Sequence, residues 1–334
     1  MADFKDILIW SEVKKGRITT SVKELISIGK KISQELGQAL NLLLIGPDLQ
    51  PAAQEAACLG ADKVYLIKHQ IYEELSAEHY LSLMTKALSD LNPYLILLAH
   101  TDLGRDMAPR LAASLERGVC LDCIDLAFDS QAKLLLQTKP VYGGKAVAVW
   151  ASPPQQPQII TLRPRAASPV EADPSGQSEL ISLEIEADKS SLKSQLLKTV
   201  KDEIKGLKLE EAKIIVAGGG GIGGRQGFQL LEELACLLGG AVGITRVPSD
   251  EGWMPKSLEI GQTGHIVSPD LYLAVGISGA PQHLAGCSGS KRIVAVNKDP
   301  EAHIFKESDW GIVADYREAL PVLIDKYKAL KESF

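Results

Sequence analysis

Lys213-Ile214-Ile215-Val216-Ala217, running straight into Gly218-Gly219-Gly220-Gly221-Ile222-Gly223-Gly224-Arg225, is the stretch on which the fold turns. An apolar run rich in β-branched residues followed by glycine predicts a buried strand at 214–217 whose carboxyl end opens onto a turn. The same rhythm returns before Asp315. Residues 241–245, Leu271–Val275, 293–296 and 311–314 read as further strands, while Phe228–Leu238 and 317–330 carry helical spacing. Strands joined through helix-length connections pair in parallel, so this part of the chain is expected to be a doubly wound α/β unit.

Upstream the texture is similar. Residues 7–12, 41–46, 63–67 and 94–100 read as buried strands. Between them, 21–36 places Val22, Leu25, Ile26, Ile28, Ile32 and Leu36 near helical spacing, and 77–91 does the same with Tyr80, Leu81, Met84, Ala87, Leu88 and Leu91; Ser21 and Ser76 are the expected caps. A helix over about 106–116 follows, then a hairpin of 133–138 and 146–151 across Tyr142-Gly143-Gly144, a proline-rich 152–157 and a strand at 158–162. Residues 182–186 alternate apolar and acidic side chains, and a charged segment at 188–206 precedes the fresh start at Lys213. The expected organisation is an N-terminal α/β domain over 1–205 and a second parallel-sheet domain over 206–334.

A chain of 334 residues can bury two cores. Lys and Arg total 36 against 42 Asp and Glu, a net charge of -6 with no basic block, which excludes a nucleic-acid binder. The apolar runs at 41–45 and 94–99 are far shorter than the roughly 20 residues that span a bilayer, and residues 1–10 lack a signal-peptide layout, so a soluble, cytoplasmic protein is expected. Five scattered cysteines do not make a disulfide framework. Cys120-x-x-Cys123 has thiol-redox spacing, but there is no second pair for zinc and no helix start to lower a thiol pKa, so it reads as a pair of buried thiols.

The chemistry-bearing residues gather at predicted strand ends. The run Gly218 to Gly224 satisfies G-x-G-x-x-G in two registers before a helix, the layout of a phosphate cradle, or else of a tight, flexible turn. At the end of the next strand a dinucleotide dehydrogenase would want an acid; Thr245-Arg246 stands there, and Arg246 suits a 2′-phosphate, an electron-poor ring or plain solvent. Gly261-Gln262-Thr263-Gly264 offers a hydroxyl and an amide to the edge of a planar ligand. Ser278-Gly279-Ala280-Pro281-Gln282-His283 passes from small-residue turn to helix start, Asn297-Lys298-Asp299-Pro300 ends the following strand, and Asp315 ends the last. Polar clusters at the carboxyl ends of parallel strands lie where such sheets bind ligands.

These motifs also carry a resemblance. Leu238-Gly239-Gly240-Ala241-Val242-Gly243, Gly261-Gln262-Thr263-Gly264, Gly276-Ile277-Ser278-Gly279-Ala280, Gln282-His283-Leu284-Ala285-Gly286 and Asn297-Lys298-Asp299-Pro300-Glu301-Ala302 resemble the flavin domain of the electron transfer flavoprotein α subunit family. Gly104-Arg105-Asp106 before Pro109-Arg110 is similar to that family's first domain, so the likeness covers essentially the whole chain.

The resemblance implies FAD in the second domain, a first domain serving subunit assembly, and a heterodimer with a β subunit. It implies an electron carrier that is not itself an enzyme, taking electrons from dehydrogenases of the acyl-CoA type, as in fatty acid β-oxidation. They would pass to a quinone reductase or another acceptor through a stabilised anionic semiquinone. Thr263 would bond the flavin N5 region, His283 the pyrimidine O2 side, and Arg246, after Thr245, would lie near the ring as a fixed positive charge. Ile260, Gly261, Gln262, Ser278, Gly279, Ala280, Pro281, Gln282, Asn297, Asp315 and Tyr316 match the family's remaining cofactor contacts. Where the family usually has Gly-Gly-Arg-Gly, Gly220 takes the arginine's place, and Arg225 is its candidate substitute.

The rival reading is an NADP-dependent oxidoreductase, on the doubled glycine motif and Arg246. His100-Thr101-Asp102-Leu103-Gly104-Arg105-Asp106 ends a strand as a ligand loop would, and is read as structural or as subunit interface. The chain shows no nucleophile with an adjacent base and no metal-ligand cluster.

Overall fold

In the computed structural model, residues 4–14, 16–69, 77–144, 146–152, 158–185, 208–209 and 212–332 are described. The chain divides into two compact units, Met1–Val141 with Ala146–Thr199, and Tyr142–Lys145 with Val200–Phe334. The boundary expected at 205, the charged segment 188–206 and the Ser76 cap lie outside the described residues.

The first unit runs β1 (Lys5–Ser11), a two-stranded ribbon of β2 (Val13–Lys14) and β3 (Arg17–Ile18), α1 (Thr20–Leu36), β4 (Leu40–Gly46), α2 (Gln50–Cys58), β5 (Lys63–Lys68), α3 (Ala77–Leu91), β6 (Pro93–Ala99) and α4 (Asp102–Leu115). Then come β7 (Gly118–Cys123), β8 (Asp125–Asp129), β9 (Leu134–Val141), β10 (Ala146–Ser152), β11 (Gln158–Leu162) and β12 (Glu179–Ser182). Seven strands form one parallel sheet in the order β12-β5-β4-β1-β6-β11-β7, and β8 to β10 form an antiparallel sheet of three.

The middle strands of the parallel sheet are buried on both faces, which is why β6, and β4 apart from Asn41, read as apolar runs rather than as alternation. One face packs with α1 and α2 through Val22, Leu25, Ile26, Ala52 and Ala56, and the other with α3 and α4 through Leu83, Met84, Met107 and Leu111.

The expected elements are found with ends shifted by a few residues, but the β2–β3 ribbon, α2, β7 and β8 were not anticipated. Helix α2 presents Ala52, Ala53 and Ala56 to the core, and alanine carries too little apolar contrast to write a periodic signal. Ser21 is not a cap. Thr19 holds that position in extended backbone, with no side-chain cap bond, and Ser21 lies inside α1. In the His100 loop the Thr101 hydroxyl accepts from the Gly104 amide at 3.1 Å, capping α4, and donates to Glu12 Oε1 at 2.5 Å.

The second unit runs β13 (Ile214–Gly218), α5 (Phe228–Leu238), β14 (Ala241–Ile244), α6 (Arg246–Asp250), β15 (Leu271–Val275), α7 (Pro281–Cys287), β16 (Ile293–Asn297), β17 (Trp310–Val313) and α8 (Tyr316–Glu332). Its five strands are all parallel, in the order β14-β13-β15-β16-β17. The chain moves from β13 to one side and resumes with β15 on the other, so the connections diverge between them. That divergence leaves a crevice at the carboxyl ends of β13 and β15. Among the described residues no helix is long and apolar enough to cross a membrane.

Candidate functional site

A cavity of about 420 Å³ opens at this crevice, within the range of roughly 300–1,000 Å³ common for small-molecule sites. Gly220 and Gly221 after β13, Thr245, Arg246 and Val247 after β14, and the turn after β15 from Gly276 to His283 supply most of its wall; the segment Glu259–Thr263 closes it.

Four amides of the glycine run are already engaged by protein carbonyls. The Gly219 amide donates to Val275 O and the Gly221 amide to Gly276 O, both at 2.9 Å, while Ile222 and Gly223 donate to Gly219 and Gly220 at 3.2 Å. Amides held in this way do not face an anion. Glycine is needed for close approach instead: a Cβ on Gly219 would stand 2.4 Å from the Gly276 carbonyl oxygen. The run also does not enter a helix directly, since two single-turn 3₁₀ segments precede α5. Of the two observations behind the NADP reading, the glycine motif is thereby weakened, while Arg246 remains at the cavity.

Thr263, His283 and Arg246 are brought to one cavity from three separate loops. Thr263 donates its hydroxyl proton to Glu259 Oε1 at 2.9 Å. His283 lies in α7 and is 6 % exposed. Its Nδ1 is 2.8 Å from Ile260 O, a carbonyl that only accepts, so Nδ1 carries the proton; Nε2 then accepts from the Tyr272 hydroxyl at 2.9 Å. Both ring nitrogens are thus engaged by the protein, and the residue itself lines the cavity. His283 braces the wall, tying α7 to the Glu259–Thr263 segment and to β15.

Burial disfavours the imidazolium and pushes the His283 pKa below its ordinary value of 6.5. The unfolded chain binds that proton first as pH falls. The contribution of His283 to stability is therefore complete above about pH 6.5 and is lost as pH drops toward the lowered folded value. The urea midpoint of the second unit is expected to decline as pH falls below about 6.5, and less steeply in His283→Gln. Equal slopes for both proteins would contradict the neutral, buried ring.

The other expected residues divide. Thr245, Ile260, Gly261, Gln262, Ser278, Ala280 and Gln282 line the cavity; Arg225, Gly279, Pro281, Asn297, Asp315 and Tyr316 do not. Arg225 is exposed and donates to Trp253 O at 3.2 Å. Asn297 Nδ2 donates to Ile277 O at 2.8 Å, and its Oδ1 accepts from the Asp299 amide. The Asp315 carboxylate accepts from the Arg317 amide, and the Tyr316 hydroxyl donates to Ile222 O at 2.9 Å. Gly279 takes φ 88° where the turn presses on Ile304, whose amide nitrogen a Cβ would approach to 2.4 Å. Asn297, Tyr316 and Gly279 shape the turns around the cavity.

Sequence reasoning missed Glu259. Its side chain lines the cavity at 4 % exposure, and only the residue type four positions before Thr263 hinted at it. Arg246 is the contrasting charge: it opens α6, its side chain is 73 % exposed, and its Nε pairs with Asp250 at 3.1 Å.

Residues 7–188 match the model of the electron transfer flavoprotein domain, and 208–288 that of the electron transfer flavoprotein FAD-binding domain. The electron transfer flavoprotein subunit alpha of Thermoanaerobacterium thermosaccharolyticum is 39% identical over 99% of this chain and 100% of its own. The chain belongs to the electron transfer flavoprotein α subunit family. The subunit alpha of Bacillus subtilis is 40% identical over 98% of both chains. The acryloyl-CoA reductase electron transfer subunit beta of Anaerotignum propionicum is 33% identical over 99% of this chain and 97% of its own.

As a member of this family the chain is an electron-carrier subunit rather than a catalyst, and FAD is its cofactor. The cavity fits the flavin ring chemically. A flat, three-ring system needs apolar faces, which Val247, Ile260 and Ile277 offer, and polar groups at its rim, which Gln262, Thr263, Ser278 and Gln282 offer.

Proposed function

We propose that this chain is the FAD-holding subunit of an αβ heterodimer that takes electrons from a dehydrogenase and hands them to a separate acceptor. The observation that carries the reading is the convergence of Thr263, Arg246 and the His283-braced wall on one apolar-sided cavity at the point where the strand order reverses. Residues 206–334 are assigned to FAD and 1–205 to assembly with the β subunit. The name of the Anaerotignum propionicum relative links electron transfer to a CoA thioester, which supports a donor of the acyl-CoA dehydrogenase class. A quinone reductase or another carrier is the acceptor, and the cytoplasm is the compartment.

Bound FAD supplies the electron chemistry. The chain's own residues orient the ring and set its field. Thr263 and Gln262 meet the polar rim, Val247 and Ile277 exclude water from the faces, and Arg246 favours the negative charge that reduction adds.

Co-expression with the β subunit and purification of the complex provides the test. Flavin absorption bands are expected, with FAD counted per heterodimer, and they should bleach when an acyl-CoA dehydrogenase and its substrate are added. A colourless complex would overturn the flavin reading. A flavin complex reduced by some other dehydrogenase class would overturn only the donor assignment.

A further inference from the structure

We propose that Cys120 and Cys123 form a reversible disulfide on exposure to a peroxide, making the end of β7 an oxidisable dithiol. Residues three apart on a regular strand point to opposite faces, so the spacing alone does not bring these side chains together. A bulge does. Cys120 stands opposite Ile160 and Cys123 opposite Leu162, so Leu121 and Asp122 on β7 face the single residue Thr161 on β11. Asp122 takes φ 61°, a left-handed conformation, its amide donates to Thr161 Oγ1 at 2.9 Å, and its carboxylate clasps the Arg163 guanidinium at 2.9 and 2.8 Å. The extra residue turns both cysteines to the same face. Their Sγ atoms lie 3.4 Å apart, with the Cys123 thiol donating to Cys120.

The two sulfurs differ in role. Cys120 is at the edge of the core with 9 % of its surface open, whereas Cys123 is fully buried, so a small oxidant meets Cys120 first. The hydrogen bond from Cys123, with Lys139 adding positive charge, lowers the Cys120 pKa, and the same bond raises that of Cys123. This polarity makes Cys120 the nucleophile and Cys123 the resolving thiol.

With hydrogen peroxide the Cys120 thiolate attacks one oxygen and the O–O bond breaks. The departing hydroxide takes up a proton as water, leaving Cys120 as a sulfenic acid. Cys123 Sγ then attacks Cys120 Sγ, the S–O bond breaks, and the hydroxyl leaves with the Cys123 proton as a second water. Two thiols and one peroxide yield one disulfide and two waters, with two electrons passing from sulfur to oxygen. A metal role is not built here, because among the described residues no three His, Cys, Asp or Glu side chains cluster as ligands. Cys287 serves as an internal reference, a buried thiol whose pKa is pushed up to about 12.

The test treats the full chain with hydrogen peroxide, blocks remaining thiols with N-ethylmaleimide under denaturing conditions, and reads the peptides by mass spectrometry. The peptide holding both cysteines should lose two hydrogens, take no maleimide, and recover both thiols with dithiothreitol. Its thiols should disappear at least about tenfold faster than that of Cys287. Cys123→Ser should leave Cys120 as a sulfenic acid that dimedone traps. Two maleimides on the treated wild-type peptide, Cys120 bonded to a different cysteine, or direct conversion to sulfinic acid would each overturn the proposal, whether or not the variant folds.

Discussion

His283→Ala is expected to lower the unfolding free energy of the second unit by about 3–4 kcal/mol, read as a reduced urea midpoint. Removing the ring empties a buried volume and leaves the Ile260 carbonyl and the Tyr272 hydroxyl without the partners they hold at 2.8 and 2.9 Å. Tyr272 is fully buried, so its hydroxyl depends on partners within the protein. The wall formed by Glu259–Thr263 loses its tie to α7, and FAD affinity is expected to fall at least about tenfold with it. His283→Gln, able to donate and accept through its amide, should recover part of both losses. A variant that keeps wild-type stability but loses only a spectral feature of the flavin would instead mean that the imidazole acts on the ring directly.

Glu259→Gln is expected to raise the first one-electron potential of bound FAD by on the order of 100 mV. That is the order of effect of removing one charge from the wall of a site with an effective dielectric near 20. Arg246→Ala is expected to lower the same potential by less. The asymmetry follows from exposure. Glu259 is 4 % exposed, so solvent screens its carboxylate poorly, whereas the Arg246 side chain is 73 % exposed and already neutralised in part by Asp250. Added salt should shrink the arginine effect and leave the glutamate effect nearly intact. Stepwise reductive titration of the αβ complex reads both. A larger shift for Arg246→Ala, or a fall in potential for Glu259→Gln, would contradict this ordering of the two charges.

Much of this was legible before any coordinates. Apolar β-branched runs ending in glycine marked the strands of the second unit, with Phe228–Leu238 and Leu271–Val275 placed to the residue. Thr245, Arg246, the Gln262-Thr263 pair, Ser278, Gln282 and His283 line the cavity, because polar residues at the carboxyl ends of parallel strands lie near a crevice whatever the details of the loops. Helix α2 was missed because its alanines write no amphipathic contrast.

Local pattern determined the α/β class, the strand ends and the family, since each depends on neighbours a few residues apart. Tertiary structure alone decided how hydrogen-bonding capacity is shared between residues far apart in the chain. It engaged the Gly219 and Gly221 amides with the end of β15 and its turn, gave both nitrogens of His283 to Ile260 and Tyr272, set Glu259 behind Thr263, and used one bulged residue to bring two thiols together. A donor has one proton and an acceptor few lone pairs, and which partner takes them is fixed by the packing of separate loops rather than by the order of residues within one.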